Sequence, residues 1–254
     1  MDLGIAGKKA LVCASSKGLG KGCALALAEA GVDLVLNARG LEALGQTAEE
    51  IRARFQVNVT AVAADITTNE GRAAVLDAAG HIDILVTNAG GPPPGLWSDW
   101  DRDDFIAAID ANMLTPITLI KSVLPGMMEQ GWGRIVNISS VVSLGGVVGR
   151  SSYGSSKASL EHLTRMWALE LAQHGITVND VAPGPVSTEL FRENNPPGSP
   201  GEARYLSMVP LGKLGTVEDI SSAVCFLMSE SAGWITGQTL RVDGGSSIGA
   251  ASLL

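Results

Sequence analysis

Residues that cross-link a chain, coordinate a metal or span a membrane are scarce here. Three cysteines (Cys13, Cys23, Cys225) are odd in number and lack metal or redox spacing, which excludes a disulfide framework and a zinc ribbon. They read as small buried residues of a reducing compartment, so a cytoplasmic location is expected. Three histidines (His81, His162, His174) never stand at zinc-ligand spacing, and no metal is expected. Nowhere do about 18 apolar residues run together, which argues against an ordinary membrane span. The opening MDLGIAGKKALV has no basic segment followed by an apolar one, so no signal peptide is expected. Without one, the sequons Asn58-Val59-Thr60 and Asn137-Ile138-Ser139 carry no meaning. Positive charge is in deficit: 18 Lys and Arg face 26 Asp and Glu, a net charge of −8. That balance argues against nucleic acid or an anionic membrane as the main partner.

Apolar residues, by contrast, make up 46% of the chain and charged ones 17%, which excludes disorder and permits a large core. Short apolar runs alternate with helical patterns. The runs Ala10–Ala14, Asp33–Asn37, Val57–Ala63, Ile82–Thr87, Arg134–Ser139, Thr177–Val181 and Thr239–Val242 read as strands. Several are continuously apolar, as strands buried on both faces are. Between the second and third, Leu41, Leu44, Ala48, Ile51 and Phe55 step by three and four and predict one buried helix stripe. Such alternation implies an α/β, doubly wound, Rossmann-like parallel sheet in one domain, residues 1–254. Two stretches break the rhythm. Gly90-Gly91-Pro92-Pro93-Pro94-Gly95 cannot be helix or central strand. Residues 188–210, rich in Pro, Gly, Asn and Glu, read as a mobile lid over a site.

The first strand runs into CASSKGLG, residues 13–20, which has the look of a dinucleotide-binding turn with Ala14 where glycine usually starts it. A P-loop is excluded, because Gly20-Lys21 is followed by Gly22 rather than Ser or Thr. Farther on, Tyr153 and Lys157 stand four apart, on one face of a helix. An ammonium about 5 Å from a phenol would lower the phenol pKa by roughly 2 units and make it a usable acid or base. Ser140 ends the fifth strand, at the carboxyl edge where open α/β sheets place ligands. Thr87-Asn88-Ala89-Gly90, Asn112, Pro183-Gly184-Pro185-Val186-Ser187-Thr188 and Val242-Asp243-Gly244-Gly245 complete the series.

In order and spacing these motifs resemble the short-chain dehydrogenase/reductase family, in its branch of about 250 residues, from Gly7 to Gly245. The resemblance implies a seven-stranded sheet of order 3-2-1-4-5-6-7 with helices on both faces. It implies a catalytic set in which Tyr153 passes the proton and Lys157 tunes it and bonds the nicotinamide ribose. Ser140 would orient the carbonyl and Asn112 complete a proton path, with Ser139 the alternative serine. Ala14, Ser16, Lys17, Gly18, Leu19 and Gly20 would cradle the pyrophosphate, a turn that survives if Ala14 keeps a negative φ. Asp65 and Ile66 would flank the adenine, while Asn88, Ala89 and Gly90 line the adenosine side. Pro183 and Gly184 continue the cleft, and Val186 and Thr188 would hold the carboxamide.

An NAD enzyme of this type carries Asp at the end of the second strand. Asn37-Ala38-Arg39 offers no carboxylate, and Arg39 with Lys17 can meet a 2′-phosphate, so NADP(H) is expected over NAD(H). The expected reaction is reduction of a small carbonyl compound. The alternatives are an NAD-linked polyol, sugar or hydroxysteroid dehydrogenase, or a scaffold without turnover. Met128-Glu129-Gln130-Gly131 and Gln173-His174-Gly175 are not basic, which weakens an acidic carrier protein as partner. Arg150 has two readings, a grip on a substrate carboxylate and, preferred, a structural salt bridge. A homotetramer is implied, with the apolar tail Ser246–Leu254 touching a neighbour.

Overall fold

The computed structural model describes residues 2–249. Seven parallel strands form one sheet in the order β3-β2-β1-β4-β5-β6-β7. They are β1 Lys9–Val12, β2 Asp33–Ala38, β3 Val59–Ala63, β4 Ile84–Thr87, β5 Gly133–Ile138, β6 Ile176–Pro183 and β7 Thr239–Val242. The helices are α1 Gly18–Glu29, α2 Leu41–Arg54, α3 Asn69–Ala79, α4 Arg102–Ile109, α5 Thr115–Gln130, α6 Ser151–Leu171, α7 Glu189–Asn194, α8 Pro200–Leu206 and α9 Val217–Met228.

Period-two alternation sends successive residues of each strand to opposite faces, and both faces are covered. Ala10 and Val12 of β1 pack with Leu27 of α1, Ala48 and Ile51 of α2 and Val224 of α9. Leu11 of β1 packs on the other side with Val75 of α3, Leu119 and Val123 of α5 and Leu171 of α6. That double burial is why the strands read as continuous apolar runs. Because the strand order reverses between β1 and β4, the loops leaving those two strands part and open a crevice at the sheet's carboxyl edge.

Several expectations need correction. The stripe on α2 holds at Leu44, Ala48 and Ile51, but Leu41 is 74% exposed and Phe55 lies just past the helix, while Thr47 is buried. Residues 188–210 are not an irregular excursion: they fold into α7 and α8, each capped by a hydroxyl, Thr188 and Ser199. Those hydroxyls satisfy first-turn amides that a Pro- and Gly-rich composition hides. The run Arg102–Gln130 is helical throughout, and by length and composition it is long and apolar enough to cross a membrane. Its Leu119, Ile120, Val123 and Met127 are spent on the core instead. Asn88 to Leu96 is irregular, as the glycines and prolines require.

Candidate active site

The glycine turn forms without the negative φ at Ala14 that the sequence reading made its condition. Ala14 has φ +50°, and it is the one non-glycine residue with positive φ among the described residues. An L side chain there costs about 1–2 kcal/mol. The turn keeps it because Gly20 packs against the Ala14 carbonyl, where a Cβ would sit 2.2 Å from the oxygen. Gly18, at φ +52°, opens α1, whose first turn has no side-chain cap. Its amide instead meets the Glu189 carboxylate at 3.1 Å, so an anion already sits on the helix N-terminus. An uncapped N-terminus that draws a carboxylate fits a dinucleotide pyrophosphate. Sequence reasoning missed Glu189. Its signal was an acid directly after Thr188, on the far side of the cleft.

A cleft of about 1010 Å³ runs from this turn across the sheet edge. Of the candidate cofactor residues, Ala14, Ser16, Lys17, Gly18, Leu19, Arg39, Asp65, Ile66, Asn88, Ala89, Gly90 and Thr188 line it, as does the catalytic candidate Asn112, whereas Gly20, Tyr153, Lys157, Pro183, Gly184 and Val186 do not. Thr67, Trp100, Asp104 and Glu193, which had no motif to announce them, line it too. Lys17 and Arg39 are exposed. The Thr67 hydroxyl and amide, with Arg39 adding its charge, hold the Asp65 carboxyl below its usual range. Asn37 is no ligand: its buried amide donates to the carbonyls of Val62 and Ala64 and ties β2 to the end of β3. Pro183 ends β6, and Gly184 abuts Asp243 so closely that a Cβ would lie 2.6 Å from the Asp243 Cβ. Val186 is buried and bridges to Gly215.

At the far end Tyr153 and Lys157 stand on the first turns of α6, with Lys157 Nζ 5.7 Å from the Tyr153 ring centroid. Lys157 is 2% exposed and donates to the Ile138 carbonyl at 2.7 Å. The expected electrostatic tuning is reversed here. Burial pushes the Tyr153 phenol above its ordinary value, against a hydrogen bond from Ser140 and the charge of Arg150. Burial likewise pulls Lys157 down to about 8, against the charges of Asp180 and Glu161. Removing both groups from water penalises both charged forms, and at each group that outweighs the neighbours that favour the charge. The phenol therefore rests protonated, the form that gives a proton away.

Ser140 starts the turn after β5 and lies against Tyr153. Ser139 is turned elsewhere, donating to Glu161 Oε1 at 2.5 Å. Asn112 sits in a π-helical turn, Asp110–Leu114, between α4 and α5. Such turns displace one residue from the helical ladder. The Asn112 amide nitrogen donates to Ala108, while its Oδ1 is buried without a partner. That oxygen and Lys157 share a cavity of about 30 Å³, room for about one water.

Behind Lys157 lies a polar network with no sequence motif. Thr87 donates to Asn137, Asn137 to Thr164, and Thr164 to Asp180 Oδ1. Burial raises the Asp180 carboxyl to about 7. A carboxylate inside an otherwise apolar strand, and an acid four residues after Lys157, were the available signals.

The comparisons with known proteins agree with this layout. The family described as Enoyl-(Acyl carrier protein) reductase matches residues 13–247. A 3-oxoacyl-[acyl-carrier-protein] reductase of Pseudomonas aeruginosa is 36% identical over 96% of this chain and 98% of its own. The BbsD subunit of (2S)-[(R)-hydroxy(phenyl)methyl]succinyl-CoA dehydrogenase from Thauera aromatica is 38% identical over 97% and 99%. Among solved structures, L-sorbose reductase from Gluconobacter frateurii, complexed with NADPH and L-sorbose, superposes with TM-score 0.91 at 28% identity over the full length of both chains. A 7α-hydroxysteroid dehydrogenase complexed with NADH gives 0.90 at 32% identity, over 100% of this chain and 98% of that one.

Proposed function

The chain belongs to the short-chain dehydrogenase/reductase family, and from that premise we propose that it is an NADP(H)-dependent oxidoreductase that reduces a small carbonyl compound to a secondary alcohol. The observation that carries this reading is the continuous cleft, with cations Lys17 and Arg39 at one end and Asn112 at the other. The nicotinamide, when bound, supplies the hydride. Lys17 and Arg39 would hold the 2′-phosphate, the Gly18 turn the pyrophosphate, and Thr188, with the backbone of buried Val186 beside it, the carboxamide.

This chain's own residues handle the proton. The Tyr153 phenol, protonated at neutral pH, donates to the carbonyl oxygen as negative charge develops there. Ser140 donates to the same oxygen and orients it. Lys157, anchored on the Ile138 carbonyl, holds the ribose and faces Asn112 across the small cavity, a route for proton resupply. Residues 188–210 form the lid, with α7 bringing Glu189 to the glycine turn. The substrate is read as a small carbonyl compound; Met128–Gly131 and Gln173–Gly175 lead into β5 and β6 at the amino edge of the sheet, away from the cleft, so their lack of cations does not bear on a carrier protein after all.

A homotetramer suits Met166, Leu169, Trp234 and Leu240, which expose large apolar surface. Part of the tail assigned to that contact, residues 250–254, lies outside the described residues. Three buried thiols fit a cytoplasmic location. A second reading, an NAD-linked polyol, sugar or hydroxysteroid dehydrogenase, is favoured by the likeness to the hydroxysteroid dehydrogenase complexed with NADH. Titration with NADPH and NADH, followed by initial rates on ketones, aldehydes and sugars, separates the two. NADPH is expected to bind at least about tenfold tighter; a preference for NADH transfers the assignment to the second reading. Light scattering that shows a monomer at micromolar concentration removes the tetramer.

A further inference from the structure

We propose that Arg150 recognises an anionic group on the substrate, and that the substrate is an oxo acid whose carboxylate this guanidinium grips. The inference rests on the reductase reading and names its substrate class. Arg150 stands at the start of α6, three residues before Tyr153, and its Nη1 donates to the Pro92 carbonyl at 3.2 Å. The salt bridge expected of it is not there. Among the described residues no ion pair involves Arg150. One bond to a carbonyl leaves most of its five N–H donors unspent, in a fork shaped to take a carboxylate. The side chain is only partly exposed, so the unspent donors are not simply hydrated surface.

Its position suits the task. Pro92 lines the large cleft, and Arg150 lines a second groove of about 510 Å³ that adjoins the start of α6. The guanidinium thus ties a wall of the second groove to a wall of the cleft, near enough to Tyr153 for its charge to favour the phenolate. The other exposed cations of the cleft, Lys17 and Arg39, belong to the glycine-turn end. Asp104, on α4 beside the cleft-lining Ala107 and Ala108, would repel a substrate carboxylate at that part of the cleft. A carboxylate entering beside Tyr153 is therefore directed to Arg150. The second groove is walled by Trp97, Val147 and Val148, exposed by 88%, 50% and 82%. Apolar surface so open beside a reacting group suits the hydrocarbon body of a substrate.

The test uses a matched pair in which only the charge differs, 3-oxohexanoate and its methyl ester, for turnover with NADPH and for calorimetric binding to the enzyme saturated with NADP+, where ketone and oxidised cofactor have no hydride to exchange. Wild type is expected to favour the acid over the ester by about tenfold or more in both readouts, the range of charge-assisted hydrogen bonds. Arg150→Gln keeps a donor for the Pro92 carbonyl but removes the charge, and its acid-to-ester ratio should fall to about one. Arg150→Lys keeps a point charge without the fork and should retain part of the ratio. A tie to Pro92 alone predicts the opposite, an unchanged ratio in the Gln variant, and that result overturns the proposal. So does a wild type that does not prefer the acid. If no carbonyl is reduced but the binding preference appears and vanishes in Arg150→Gln, the reductase reading fails and the Arg150 assignment stands. If esters are reduced without a preference for acids, the reverse holds.

Discussion

The two ends of the cleft are built on different physics. At the glycine-turn end the working groups are main-chain amides and exposed cations: Gly18 donates through its backbone, and Lys17 and Arg39 reach the cleft from the surface. At the Tyr153 end the titratable groups are withdrawn from water, and Tyr153, Lys157 and Asp180 all move in the direction burial dictates. The first arrangement can be retuned one surface charge at a time. The second binds chemistry to stability, because each buried group is held by others that are also buried.

The largest break in this contrast should come at the buried end. Tyr153→Phe removes the transferable proton but keeps the ring, so turnover should fall by about 10² or more. Cofactor affinity, set at the other end, should move less than about threefold by titration. A Phe variant with near-normal turnover removes Tyr153 from its role.

Asp180 provides the next. Its folded pKa, about 7, lies above the ordinary 3.8. The native state therefore holds its proton more tightly than the unfolded chain, and this group's contribution to stability falls as pH rises from about 4 through about 7. Asp180→Asn resembles the protonated acid at every pH. It should melt like wild type near pH 3.5, below both pKa values, and increasingly above it by pH 8, by about 1–3 kcal/mol. Equal melting shifts at both pH values would place the charge elsewhere.

At the exposed end, Arg39→Ala should weaken NADPH by at least about tenfold and leave NADH within about threefold. Ala38→Asp should then reverse the preference, repelling a 2′-phosphate and accepting from a free 2′-hydroxyl. Binding titrations of both cofactors against the two variants sharpen the claim that this end is governed by surface charge. The smallest effect belongs to the turn itself. Ala14→Gly relieves the positive φ but makes the unfolded chain freer, for a net gain of about 0.5–1 kcal/mol in chemical denaturation. A loss of stability would mean that the Ala14 methyl packs more than its strain costs.

The contrast also sorts what was legible in advance. Motif residues at the glycine-turn end could be read because their roles depend on backbone shape and local order: glycines at Gly18 and Gly20, a strand before them, a helix after. The sign of the Tyr153 shift could not. The spacing of Tyr153 and Lys157 gives their proximity, but the burial that decides the sign comes from segments distant in sequence, among them Gly91 against the Tyr153 ring and Ser140 beside its hydroxyl. Ala14 was misjudged for a related reason. Its φ is set by Gly20 lying against its carbonyl, a contact closed only when α1 docks.

From the sequence alone came the α/β alternation, the parallel sheet, the family likeness and most of the residues at the glycine-turn end of the cleft. All follow from periodicity, turn chemistry and motif order, which act over a few neighbouring residues. Tertiary structure alone decided that residues 188–210 contain two short helices, that Glu189 reaches the Gly18 amide, that Asn112 Oδ1 is left without a partner and that Arg150 pairs with no carboxylate among the described residues. Each of these depends on desolvation or on a partner brought from far along the chain, and neither is written in local order.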